Sequence, residues 1–436
     1  MIRRLQQQID NSPLIVFRII FGFILLWQAS KHIAFGWVEH QFVRPKFTFS
    51  FIWIEWLQPL PGNGMYWYYA AMCVFAVMVA IGFRYRMALA GFGILWTGVY
   101  LMQKTTYNNH HYLLILMCVI MLFLPANTYA SVDSRTNPSI RTYTMPAWCR
   151  YVVLLQIAIV YFFAAIAKFY PGWMDGTFAG ILLEPSAGRH TGVLFHAKWF
   201  QVLFAWAGIA FDLFIVPLLL YRKTRTIALI AAIIFHTFNW LTLNIGVFPL
   251  FALSTLVFFY PPNTIRKLFF RQRPLIEPEE VPLSLKDKRI LLYFFLPYFL
   301  LQLALPVRHY FIEGDVMFTE EGHRLSWRMM LKRKKGTTDF LVTDLTNNKK
   351  FVYDKRSSLT KAQSESLNGK PDMIWQMAQH IKKEYAEKGI KVAIYVEAWT
   401  SINNGVKQLL IDPDTDLATA EWDPFFHNKW ILTGDN

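Results

Sequence analysis

Nine apolar runs, separated by short polar stretches, dominate the first two thirds of the chain. They cover approximately residues 13–30, 65–83, 86–102, 111–126, 150–168, 199–220, 226–246, 247–260 and 290–306. Most approach the ~20 residues a helix needs to cross a bilayer. The seventh and eighth nearly touch, and Gly246 with Pro249 is placed to make a tight reversal. Near residue 307 the pattern changes. Polar strands with partial alternation are predicted at Leu325–Leu331, Asp339–Asp344 and Lys349–Asp354, followed by a helix from Pro371 to about Lys388, opened by proline and closed by Gly389. Two more strands are predicted at Val392–Trp399 and Gln408–Ile411. The pattern describes a polytopic α-helical membrane bundle of about nine transmembrane helices over residues 1–306. An extracytoplasmic, strand-rich α+β domain follows over 307–436.

Basic residues orient the bundle. Alternate loops hold Arg84 and Arg86; Arg135, Arg141 and Arg150; Arg222, Lys223 and Arg225; and Arg266, Lys267, Arg271, Arg273, Lys286, Lys288 and Arg289. The opposite loops carry only Lys31, Arg44, Lys46, Lys104, Arg189 and Lys198. By the positive-inside rule the N-terminus is cytoplasmic and the C-terminal domain lies outside. Arg3 and Arg4 precede the first apolar run, which reads as an uncleaved signal anchor. The same clustering explains the formal net charge of +15 without nucleic acid, because the bases punctuate apolar runs instead of forming one soluble face. Hydrophobic residues make up 54% and charged residues 17%, against about 25% charged in soluble domains, so lipid is the solvent for much of the chain. The three cysteines, Cys73, Cys118 and Cys149, form neither a disulfide framework nor a metal-ligand spacing.

Several polar groups collect at the outer ends of the predicted helices. Lys168 ends the fifth run among aromatic residues, where it reads either as a lysine snorkelling to the interface or as a desolvated amine able to act as a general base. Asn108, Asn109, His110 and His111 open the fourth run, as an interfacial polar belt or as a half-dry donor–acceptor set; adjacent histidines without a carboxylate make a poor metal site. His236 and Asn239 share a face of the seventh helix, suited to a helix–helix link or to a site residue. Arg189 and His190 occupy an outer loop, where Arg189 is either solvated or able to hold a substrate carboxylate.

Asn108-Asn109-His110, Lys168 with Trp173 and Gly176, and Phe235-His236 with Asn239, Gly246 and Phe248-Pro249 together resemble the vitamin K-dependent γ-glutamyl carboxylases. In the outer region, Leu305-Pro306 with His309-Tyr310-Phe311, Ser326-Trp327-Arg328-Met329-Met330, the segment Tyr395 through Asn403, and Asp412-Pro413 with Ala420, Trp422, Pro424 and Phe425 extend the resemblance over nearly the whole chain. The resemblance implies an enzyme that oxygenates vitamin K hydroquinone (or menaquinol) to the epoxide with O₂. It couples this to removal of a γ-proton from glutamate in a peptide or protein, and the carbanion captures CO₂. It implies no metal. It also assigns Lys168 as the base toward the hydroquinone, His110 and Asn109 to the glutamate or carbanion step, and His236 to the quinone. Tyr395, Trp399 and Ser401, with Arg189 and Asn239, are expected to bind substrate. Such chemistry needs a dry site, a quinol arriving from membrane lipid and a peptide arriving from outside.

The family's cysteine bridge to the lumenal part has no counterpart, since no cysteine follows residue 149. Short length and simple loops point to a bacterial member in the inner membrane. Two other readings are a quinol epoxidase with a different acceptor and a non-catalytic membrane transporter or structural protein. A transporter would more often show paired repeats and broken helices, and no repeat is visible here.

Overall fold

The computed structural model describes residues 5–188, 192–243 and 245–434. Each predicted apolar run contains a helix. In chain order these are α1 (Ser12–Ala34), α2 (Gly64–Ile81), α3 (Tyr85–Met102), α4 (Asn109–Phe123), α5 (Trp148–Ile166), α6 (Lys198–Leu220), α7 (Arg225–Thr242), α8 (Phe248–Thr255) and α9 (Leu285–Phe311). Six of them (α1, α2, α5, α6, α7 and α9) are long and apolar enough to cross a membrane, whereas α4 and α8 are shorter apolar helices. This helical bulk, with strands confined mainly to the C-terminal region, fits a membrane protein.

Local signals place the helix ends. Pro13 stands in the first turn of α1, and Gly82 closes α2 in the left-handed region at φ 67°. The Asn108 side chain accepts the His110 amide at 2.7 Å and so caps α4. Helices α1 and α2 pack closely at Gly22, where an added Cβ would lie 2.5 Å from the Ala80 backbone.

The two ends of the bundle are tied differently. Strand β1 (Gln7–Asp10) pairs antiparallel with β2 (Thr144–Pro146) and β3 (Glu279–Glu280), gathering the segments before α1, α5 and α9. The segments after α1, α3 and α5 instead meet the C-terminal domain. Gln363 donates to the Phe47 carbonyl, Lys104 pairs with Asp372, and Tyr170 donates to the Leu331 carbonyl. An odd number of these helices separates any member of one set from any member of the other, as it must if each helix connects opposite ends.

The C-terminal domain is a four-stranded antiparallel sheet ordered β5-β4-β6-β7, with β4 Lys334–Asp344, β5 Lys350–Val352, β6 Val392–Ile402 and β7 Gln408–Leu409. Strands β4 and β6 stay in register over their whole length, from Lys334 opposite Ile402 to Asp344 opposite Val392. Helix α10 (Pro371–Ala386) covers one face, packing Met373, Ile374, Met377 and Ile381 with Phe340, Val342, Ile394 and Val396.

One predicted strand is corrected. Residues 325–331 form an irregular loop in which Leu325, Trp327 and Met330 have φ of 62°, 58° and 49°. Left-handed residues cannot continue a ladder. The alternation there reflects packing on the helices: Trp327 is fully buried and stacks on Tyr112 at 5.1 Å.

The loop's start is fixed by buried charge. Asp372 pairs with Lys104 at 2.7 Å and also with Arg324, next to the loop. Burial alone would raise the Asp372 carboxyl, but Arg324 and Lys104 outweigh it and hold it well below the usual range. Asp372→Ala leaves two buried cations without their carboxylate and is expected to destabilise the protein by about 3–5 kcal/mol in chemical unfolding. The native carboxyl takes its proton at lower pH than an unfolded aspartate near 3.9. This contribution is therefore complete above about pH 4 and is lost as pH falls further; an acid titration of stability in the wild type and the variant measures the difference.

Candidate functional site

Four expected site residues line one narrow cavity of about 80 Å³: His110, Lys168, His236 and Asn239. They come from three places. Lys168 lies just beyond the end of α5, His236 and Asn239 are one turn apart on α7, and His110 is in the first turn of α4. Phe204, Phe235, Phe248, Trp173, Met329 and Met330 make much of the remaining wall.

Lys168 does not snorkel. It is buried, its amine hydrogen-bonds to Asp212 on α6, and it lies 5.3 Å from the centre of the Trp173 ring. An isolated desolvated amine is thus not what the fold contains. A carboxylate in contact with the nitrogen offsets the cost of burying it. On the other side, the Tyr161 hydroxyl is 2.8 Å from Nε2 of His236. Tyr161 and Lys168 both line the cavity from the α5 segment. The Phe248 ring stacks on His110 at 4.1 Å and meets His236 edge-on at 5.9 Å. Nδ1 of His110 and Nδ1 of His236 are both buried without a hydrogen-bond partner. Orphaned polar nitrogens beside aromatic and thioether walls suit a flat ligand that carries hydrogen-bonding groups.

The loop of residues 325–331 closes this cavity. Met329 and Met330 line it, and they also line a second cleft of about 1250 Å³. His110 and Ile245 are shared in the same way, so the two spaces abut at a common wall. Asn109 holds the loop: its Nδ2 donates to the Arg328 carbonyl at 3.2 Å, while its Oδ1 accepts from Tyr107 at 2.9 Å. The Leu325 amide donates to the same Tyr107 hydroxyl at 2.6 Å. The larger cleft is basic. Among the described residues its lining includes Lys31, Arg44, Arg328 and Lys361 against the single carboxylate Glu365.

Two family models account for nearly all of this chain. One, described as HTTM domain, matches residues 6–263, and another, described as vitamin K-dependent gamma-carboxylase, lumenal domain, matches residues 287–436. The chain belongs to the vitamin K-dependent gamma-carboxylase family. No solved structure matches it. The helices that form the narrow cavity lie in the first matched region, while the loop that closes it lies in the lumenal domain.

Other expected residues stand elsewhere. Tyr395, Trp399 and Ser401 share one face of β6, the one turned away from α10, and line neither space. Trp399 donates its indole N–H to Glu397 at 2.8 Å on that face. Arg189 and His190 lie outside the described residues, and Glu184, earlier in the same loop, pairs with Arg333 at 3.2 Å. Asp212 and Tyr161 were not anticipated as site residues. Asp212 had a readable signal, since a lone carboxylate within an apolar run demands a partner; Tyr161 had none, because tyrosine is common at membrane boundaries.

The Lys168–Asp212 pair gives a stability test. Lys168→Met and Asp212→Leu, made singly, each strand a buried charge and are expected to cost about 3–5 kcal/mol, whereas the double variant recovers most of that loss. Denaturant unfolding in detergent measures the cycle, and additive losses would show that the two groups do not interact.

Proposed function

We propose that this protein couples oxygenation of vitamin K hydroquinone, or a menaquinol, to γ-carboxylation of glutamate in a peptide or protein. The observation that carries the reading is the convergence of Lys168, His110, His236 and Asn239 on one aromatic-walled cavity that abuts a basic cleft. When bound, the quinol supplies the electrons that reduce O₂ and the driving force for removing a weakly acidic γ-proton.

The chain's own groups divide the work. Lys168 takes the proton of the quinol hydroxyl. Tyr161 holds the His236 ring against the quinol. His110, on the wall common to both spaces, serves the glutamate step, and Asn109 positions the loop through the Arg328 carbonyl. The cations of the larger cleft draw in a carboxylate-bearing peptide. Met329, Met330 and Phe248 keep water from the reacting atoms, which strengthens each electrostatic contact there. Tyr395 and Trp399, with the buried Ser401 beside them, fit a more distant stretch of the peptide on the face of β6 turned away from α10. With the N-terminus cytoplasmic and the C-terminal domain outside a bacterial inner membrane, quinol reaches the site from lipid and peptide from the periplasm.

The reading is tested with purified protein, reduced vitamin K, labelled bicarbonate and a glutamate peptide. Epoxide and labelled peptide are both expected; if neither forms, the reading is wrong, and epoxide alone would mean another acceptor. In the same assay Lys168→Ala is expected to abolish epoxide formation, a loss of at least ~100-fold. His110→Ala should depress carboxylation more than epoxidation, and equal losses would count against its place in the glutamate step.

A further inference from the structure

Asp212 is a carboxylate inside a membrane-crossing helix, with Lys168 as its one hydrogen-bond partner among the described residues. Such a group is expensive to keep, and Lys168, at the end of α5, could have reached the interface without it. Instead the amine is turned inward and both groups line the narrow cavity. An ammonium held by a carboxylate has no free electron pair. It can accept a proton from a ligand only by releasing one of its own, and Asp212 is the acceptor in contact with it.

We propose that Asp212 is the second half of the base: it positions Lys168 and takes a proton from Nζ as Nζ takes the proton of the quinol hydroxyl. The inference rests on the reading of Lys168 as the group that deprotonates hydroquinone. The step balances. The quinol O–H bond breaks and its electron pair stays on the quinol oxygen. One N–H bond forms on Lys168 as another breaks, and an O–H bond forms on Asp212. The pair gains one positive charge opposite the new quinolate, so the cavity as a whole gains none. That matters where solvent cannot compensate a charge. The other titratable groups facing the pair are Tyr161 from α5, His236 from α7 and His110 from α4. None of them hydrogen-bonds to Asp212.

The direct test uses the full chain in detergent, mixed with vitamin K hydroquinone without O₂ and without peptide, and follows the absorbance of the quinolate. The wild type is expected to form quinolate and Asp212→Asn to lose it, while Asp212→Glu regains part and shows a displaced pH profile. In the aerobic assay the Asn variant should lose at least ~100-fold in kcat for epoxide with little change in KM for hydroquinone. Equal quinolate formation by wild type and the Asn variant overturns the proposal, as does a wild type that forms none. A Glu variant no better than the Asn variant overturns it too. Should the Asn variant not fold, Asp212→Glu decides: a lower yield with a displaced pH profile supports the relay, and an unchanged yield and profile overturn it. Quinolate formed without later epoxide or carboxylation would instead mark failure of the functional reading alone.

Discussion

Among helices whose outer surfaces face hydrocarbon, a polar side chain finds no water to satisfy it, and the interior has to supply its partner. Several polar side chains in this bundle are answered in that way. Gln156 accepts from Tyr298 at 2.6 Å, Gln302 donates to Tyr112 at 2.8 Å, and buried Arg18 donates to the Ala126 and Ala130 carbonyls. Lys168 with Asp212, and Tyr161 with His236, belong to the same set. Other buried polar atoms, those of Tyr69 and Trp148 among them, have no hydrogen-bond partner among the described residues. Nδ1 of His110 and of His236 differ from these in standing on the walls of the narrow cavity, where a ligand can answer them.

The same constraint shapes the junction with the C-terminal domain. The helix ends leave an open mouth, and a loop with three left-handed residues fills it. Such a backbone persists only where its surroundings over-determine it. Here they do, through Trp327 stacked on Tyr112, the Leu325 amide on Tyr107, Asn109 on the Arg328 carbonyl, and Arg324 on Asp372. The mouth is therefore shaped by the domain that covers it.

Long apolar runs were readable because each has its own period and length, so each of the nine holds a helix, although only six of these are long and apolar enough to cross a membrane and α8 is only 8 residues long. His110, Lys168, His236 and Asn239 were readable as polar groups at helix ends, and the cavity unites them. Residues 325–331 were misread as a strand because alternating burial looks alike in a ladder and in a loop pressed onto helices. Partners such as Tyr161 and Asp212 depend on how α5, α6 and α7 face one another, which no local pattern encodes. Tyr395, Trp399 and Ser401 do share a face of β6, as a period of two requires, but the direction of that face is a property of the docked domain.

The closing loop also bears on how the protein is made. Asn109 and the Arg328 carbonyl it holds are 219 residues apart, and Lys104 and Asp372 are 268 apart. During synthesis the helical bundle enters the membrane long before its cover exists. Until the last third of the chain has emerged and docked, the mouth stays open to water. A partly made or truncated chain would thus carry the lysine and imidazole groups of the cavity without the loop that covers them, so completion of the polypeptide doubles as the step that encloses the cavity.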